Sequence, residues 1–143
     1  MTQRFVNQNS AKTGAAAIQD CSTNDPGETD ADSVEVSNVE VSGDTATADA
    51  AVTGSPYDGQ TLRLSLVKDG DQWKLDHVDS FVNFNAQALA DALVKGLGGP
   101  NGDLTPTQIK CISNTITTAP PNTIEQAFLS GQQSQIQALF ANC

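Results

Sequence analysis

Between residues 34 and 79 apolar and polar positions alternate with a period of two, the spacing of half-buried strands. Val39 and Val41 alternate with Asn38 and Glu40, and Gly43-Asp44 is a two-residue hairpin signal. That turn sets Val41 opposite Ala46 and Val39 opposite Ala48, which keeps one face apolar. Val34 and Val36 fall on the other phase. A bulge between them and Val39 restores the pattern and bends the strand. The stretch TGSPYDG at 53–59 is a longer loop. Leu62, Leu64 and Leu66 then alternate, KDGD at 68–71 turns the chain, and Trp73, Leu75 and His77 alternate back. Pairing Val67 with Gln72 sets Leu66 opposite Trp73, Leu64 opposite Leu75 and Leu62 opposite His77, with Arg63 and Asp76 opposed on the other side. A slip of one residue would turn every leucine outward, so burial of one face pins the register.

After residue 82 the period becomes helical. Asn85 caps a helix carrying Leu89, Leu93 and Leu97, stopped by Gly98-Gly99-Pro100. Thr105-Pro106 opens the next, with the stripe Ile109, Ile112 and Ile116, and TTAPPN breaks it. Thr123 caps a short helix with Ile124 and Phe128, SGQQS at 130–134 interrupts, and Ile136, Leu139 and Phe140 line a last helix. Residues 1–20 read as a weak helix, favoured by Ala15, Ala16, Ala17 and Ile18 but interrupted by Gly14. The stretch STNDPGETDADS at 22–33 mixes turn formers with carboxylates. It lacks the residue order of an EF-hand calcium loop and reads as a solvated linker. The order of elements predicts an α+β fold: a curved, cone-like antiparallel meander of four strands, packed by helices, with a C-terminal helical extension. Residues 1–82 form the cone-like region and residues 83–143 a helical region on the sheet, within one folding unit.

Charge narrows the partners. The chain carries 7 Lys and Arg against 17 Asp and Glu, a formal net charge of -10. The basic residues form no cluster, which disfavours nucleic acid and anionic membrane. No apolar run approaches the roughly 18–20 residues of a membrane helix. A membrane role therefore needs an anchor absent from this chain. The opening MTQRFVNQNS is polar and carries no export signal, so an exported protein would be represented here in mature or trimmed form. In AIQDC at 17–21, Asp20 stands where a lipid-attachment box has a small residue.

The three cysteines are Cys21, Cys111 and Cys143. They have no CxxC spacing, and a single histidine cannot complete a Cys/His zinc set, so no metal or other cofactor is expected. Cys111 lies about 130° from the Ile109/Ile112/Ile116 stripe, whereas Cys143 falls on the Ile136/Phe140 stripe. That placement predicts a disulfide stapling the third-from-last helix to the last, and with it an extracytoplasmic home, secreted or lipid-anchored at the cell surface. Cys21 is left over.

The run VSNVEVSGDTATADAAV, followed by DGQTLRLSLVKDGDQWKLD, resembles small secreted domains of high-GC Gram-positive bacteria. Many of these are lipoproteins of the cystatin-like, nuclear transport factor 2-like cone superfamily. The tail LTPTQIKCISNTI…ALFANC is similar to a two-cysteine helical extension found after such domains. The resemblance covers residues 33–82 and, more loosely, 104–143. It implies a cone fold, which hosts enzymes, carriers and assembly modules alike. Cone folds begin with a long helical segment inside the curved sheet; here only about 20 weakly helical residues precede the acidic loop. The cone is then partly open, filled by the C-terminal helices, or completed by a second copy, which leaves a homodimer open.

The superfamily's catalytic sets are not matched. Isomerase-like sites need a tyrosine and an aspartate inside the cone, but the only tyrosine, Tyr57, sits in a Gly/Pro loop. Dehydratase-like sites need paired histidines. An Asp-Arg-Asp set from Asp49, Arg63 and Asp76 falls on the face away from the leucines and reads as an exposed cross-strand ion pair. His77, the weak catalytic candidate together with Asp79, is expected on the apolar face as a partly buried core residue. A His77 clasped by two acids in a wet cleft would remove the inert-scaffold reading. A ligand pocket, if one exists, would be lined by Leu62, Leu64, Leu66, Trp73, Leu75 and His77. The expectation is a non-enzymatic extracytoplasmic binding or assembly module for an unidentified protein. The alternative is a carrier of a small apolar ligand, or an isomerase- or dehydratase-type enzyme, using the cone pocket.

Overall fold

The computed structural model describes residues 1–8, 10, 12–23, 31–55, 57–96, 104–130 and 132–143. In chain order the elements are α1 (Gln3–Gln8), α2 (Gly14–Thr23), β1 (Ala31–Ser42), β2 (Thr45–Gly54), β3 (Thr61–Asp69), β4 (Gln72–Asn83), α3 (Ala86–Gly96), α4 (Pro106–Thr118), α5 (Pro121–Leu129) and α6 (Gln133–Leu139). The strands form one antiparallel meander in the order β1-β2-β3-β4, and the sheet is curved and unclosed, as the α+β expectation required. The weak N-terminal helix is two helices. Gly14, at φ +61°, opens the second, and Asn7 Oδ1 accepts from its amide at 3.0 Å. The acidic linker at 24–30, Leu97 and the Gly98-Gly99-Pro100 stop lie outside the described residues.

The bulge in β1 is present. Ser37 faces Asp49 and Glu40 faces Thr47, so Asn38 and Val39 share the single position opposite Ala48. Asn38 takes up the extra length in a left-handed conformation, φ 48°. Val34 then pairs with Val52, Val36 with Ala50 and Val41 with Ala46, which puts both valine pairs on one face.

The second hairpin differs from expectation. Its turn is tighter, Gly70-Asp71 between paired Asp69 and Gln72, with Gly70 at φ +62°. Trp73 therefore faces Lys68, and Leu75 faces Leu66. Further along, β4 slips three times against β3, placing Val78 opposite Leu64 and Phe81 opposite Leu62. The cause lies in the spacing of Leu75, Val78 and Phe81. A flat strand points residues three apart to opposite faces. One extra residue in each of the two intervals, Asp76 and Asp79, returns each apolar side chain to the same face, and a third slip at Val82 follows Phe81. The first slip moves His77 off that face, to a position opposite Ser65.

The core forms where helices cover this row. Leu62, Val78 and Phe81 pack with Leu89 and Ala90 of α3, Ile116 of α4, and Ile124 and Leu129 of α5. Helix α3 is capped by Asn85, whose Oδ1 accepts from the Ala88 amide at 3.0 Å. Helix α4 begins as expected, with Thr105 and Gln108 forming a capping box around Pro106. Helix α5 starts earlier than its sequence suggests. Pro120 is its cap residue, and the Thr123 amide donates to the Pro120 carbonyl at 2.9 Å, so Thr123 lies inside the helix and does not cap it.

Cys111 of α4 and Cys143 after α6 are disulfide-bonded, with Cα atoms 5.5 Å apart and 32 residues of separation. The bond ties the short α6 segment to α4. Reduction should release two titratable thiols per chain. Cys143→Ser should lower unfolding stability by about 3–4 kcal/mol in a denaturant titration; a loss well under 1 kcal/mol would mean that packing alone holds α6.

Candidate functional site

The two edges of the sheet are treated differently. Along β4 the outer edge is sealed by α1. The Thr2 amide donates to the Leu75 carbonyl at 2.9 Å. The Gln8 side chain then acts as a short stretch of strand. Its Nε2 donates to the Val78 carbonyl at 2.8 Å and its Oε1 accepts from the Val78 amide at 2.8 Å. The same Nε2 reaches the Leu129 carbonyl at 2.5 Å, joining α1, β4 and α5. Over Leu75–Val78 these contacts take the place of a neighbouring strand.

The slip at Asp76 builds a polar cluster beside this seal. Its carboxylate accepts from Thr2 Oγ1 at 2.8 Å and from the Arg4 guanidinium at 3.0 Å. His77 Nδ1 lies 3.1 Å from Asp76 Oδ2, and its Nε2 contacts Asp79 Oδ1. Asp79 also accepts from Ser65 Oγ at 2.6 Å. His77 and Asp79, with Gln3, Arg4, Asn7, Thr13 and Ser130, line an open cleft of about 780 Å³. The sequence expectation for His77 is thus corrected. The residue leaves the apolar face because β4 bulges at Asp76, and it is held by two acids at an open cleft, which removes the reading of the domain as an inert scaffold and leaves a binding role.

That geometry limits the chemistry. Only the imidazolium form can donate to both carboxylates, since a neutral ring has one N–H. While both contacts stand, no ring nitrogen is open to take a proton from a substrate. Ser65 gives its hydrogen bond to Asp79 rather than to His77, so no nucleophile–base pair is assembled. The carboxylates surround the ring instead of converging on one point, and no group of three metal-ligating side chains occurs among the described residues. Burial pushes the Asp76 carboxyl up, but hydrogen bonds from Thr2, His77 and Arg4, with the Arg4 charge, outweigh it and hold it below the ordinary carboxylate value.

Arg63 does not face Asp76. It faces Asp49 across the β2–β3 ladder and Ser80 across β3–β4. Asp49 is only 2% exposed. It contacts Arg63 Nε at 2.5 Å and accepts from Asn38 Nδ2 at 2.7 Å. The pair expected at the surface therefore has a buried acid, and that acid fixes the bulge residue of β1. Tyr57 packs against Phe81, their ring centroids 6.4 Å apart, and burial raises its phenol above the ordinary value.

The residues expected to line an apolar pocket are divided between the core and the hairpin end. Leu62 is buried against the helices and Leu64 packs beside it. Leu66 and Leu75 are partly buried, and Trp73 is 41% exposed at the hairpin end. None of these five lines the polar cleft or a second cavity of about 260 Å³. That cavity is lined by Leu93, Leu104, Gln108, Ile112, Phe140 and the disulfide residue Cys143. At the opposite edge, β1 has no partner strand besides β2 among the described residues. Its valines 34, 36, 39 and 41 are 51%, 60%, 59% and 63% exposed, on the apolar face beyond the reach of α3–α5. Sequence patterning located this row but said nothing of its exposure, because a period of two marks a face and not what covers it.

No protein-family model, no curated protein and no solved structure matches this chain.

The depressed Asp76 acid gives a pH expectation. Its contribution to the α1–β4 contact is fully present above the ordinary carboxylate value and is lost as pH falls below it, through the folded-state value. Amide resonances of α1 should move towards disordered positions as the solution is acidified below about pH 4. Asp76→Asn should show part of that change already at neutral pH. Unchanged α1 resonances in the variant would show that Gln8 and Thr2 hold α1 without the acid.

Proposed function

We propose that this chain is a non-enzymatic binding or assembly module of an extracytoplasmic compartment. The observation that carries it is the bare valine row of β1, on a sheet whose other edge is closed by α1. Four exposed valines in line on an edge strand are costly to leave in water and invite a partner. The Cys111–Cys143 bond is compatible with an oxidising compartment. No helix among the described residues is long and apolar enough to cross a membrane. The curved four-stranded sheet crossed by helices supports membership of the cystatin-like cone superfamily, as a proposal. A photo-reactive side chain placed at position 36 or 41 should form a defined adduct in cells producing the protein. The same group at exposed Lys110 on α4 should form none. Failure at both β1 positions would remove the module reading.

A second reading rests on the cleft. His77, Asp79 and Arg4 beside about 780 Å³ of open space suit a small polar ligand, and an enzyme would have to move Asp79 away from His77 first. The apolar-carrier version has less support, since the apolar cavity of about 260 Å³ is below the usual range for ligand sites. Ligand entry into the cleft should shift the His77 ring resonances in a small-molecule screen by NMR. If a diverse polar library leaves them unmoved, the cleft is structural.

A further inference from the structure

We infer that β1 receives an extended basic segment, which adds to the sheet as a fifth strand with apolar side chains over the valine row and lysine or arginine side chains over the polar row. The inference rests on the module reading and names the chemistry of the partner. Three observations point to it.

The first is the contrast between edges. The chain uses the Gln8 side chain and the Thr2 amide, at the two ends of α1, to occupy the middle of the outer edge of β4, at Leu75 and Val78. Among the described residues nothing comparable lies at β1, a strand of 12 residues that pairs with β2 alone. An unpaired edge presents alternate amides and carbonyls ready for β-augmentation.

The second is the pattern of side chains. Val34, Val36, Val39 and Val41 face one way, while Ser33, Glu35, Ser37, Glu40 and Ser42 face the other. An added strand with a period of two would meet both rows at once.

The third is charge. The hairpin from residue 31 to residue 54 holds five acids, Asp32, Glu35, Glu40, Asp44 and Asp49, and no lysine or arginine. Of these five, only Asp49 has an ion-pair partner among the described residues, Arg63, reaching it from β3. Glu35 and Glu40 remain exposed on the polar row. A second copy would bring the same acids, and a further net charge of -10, against this edge. A basic strand neutralises them instead. The bulge at Asn38 divides the edge, so the register of an added strand is expected to be set on one side of Asn38 rather than to run unbroken across it.

The test uses the full chain and three synthetic peptides of about eight residues, an ordinary strand length. They alternate lysine with valine, glutamate with valine, and lysine with serine. At low salt the lysine–valine peptide should slow exchange of alternate β1 amides by roughly tenfold at saturation, and added salt should weaken the effect. The glutamate–valine peptide should leave those amides unchanged and the lysine–serine peptide should protect them less. In Glu35→Lys/Glu40→Lys, two exposed positions, the preference should invert towards the glutamate–valine peptide. Equal protection by both valine peptides would overturn the inference, as would protection confined to α1 and the cleft, or none at all. A dimer of the free chain in sedimentation equilibrium with β1 amides already protected would also overturn it, in favour of a second copy. Adducts at position 36 without peptide protection would leave the module reading standing and remove this one.

Discussion

The structure depends on bringing Leu75, Val78 and Phe81 of one strand onto the same side of the sheet. Their spacing is three, and the backbone offers only a period of two. The mismatch is resolved by extra residues, and each extra residue has a second effect. At Asp76 it turns a carboxylate towards the N-terminal segment and swings His77 across the ribbon. At Asp79 it supplies the other acid that grips the imidazole. At Val82 it brings the strand to its end just before Phe84 and Asn85 lead into α3. The polar cleft is thus a by-product of packing the apolar face.

Helix cover then decides which parts of the apolar face become core. Leu89, Ile116 and Ile124 lie over Leu62, Val78 and Phe81, and all three are at most 1% exposed. The cover does not extend to β1. Ala46, Ala48 and Ala50 of β2 separate the leucine row of β3 from the valine row, and past them the valines meet water. The molecule is therefore two-sided in a functional sense: a closed, heavily packed half around β4 and a bare half at β1.

Much of this was legible in the chain. The valine phase change demanded a bulge near Asn38, and it is there. Thr105-Pro106 and Asn85 marked helix starts correctly, and the angular position of Cys111 foretold its bond to Cys143. The second hairpin went wrong for a definite reason. Strict alternation from Trp73 and Leu75 leads to His77, whereas Val78 and Phe81 carry the next apolar positions. A count by threes along LDHVDSF would have revealed the slips. The α1 seal was not legible, because a glutamine amide pairing with a strand backbone leaves no periodic trace. Nor was the burial of Asp49, which depends on two strands and a bulge meeting at one point.

The edge seal has a chemical weak spot. Gln8 closes β4 through one nitrogen shared between the carbonyls of Val78 and Leu129. Hydrolysis of that amide to glutamate, a slow ageing reaction of proteins in solution, would exchange the shared donor for an oxygen. Three oxygen atoms would then face each other where one nitrogen had held two. A change of a single mass unit at position 8 would loosen the cover at Val78 and the tie to α5, leaving the Thr2 contact to Leu75 to hold α1 against the strand.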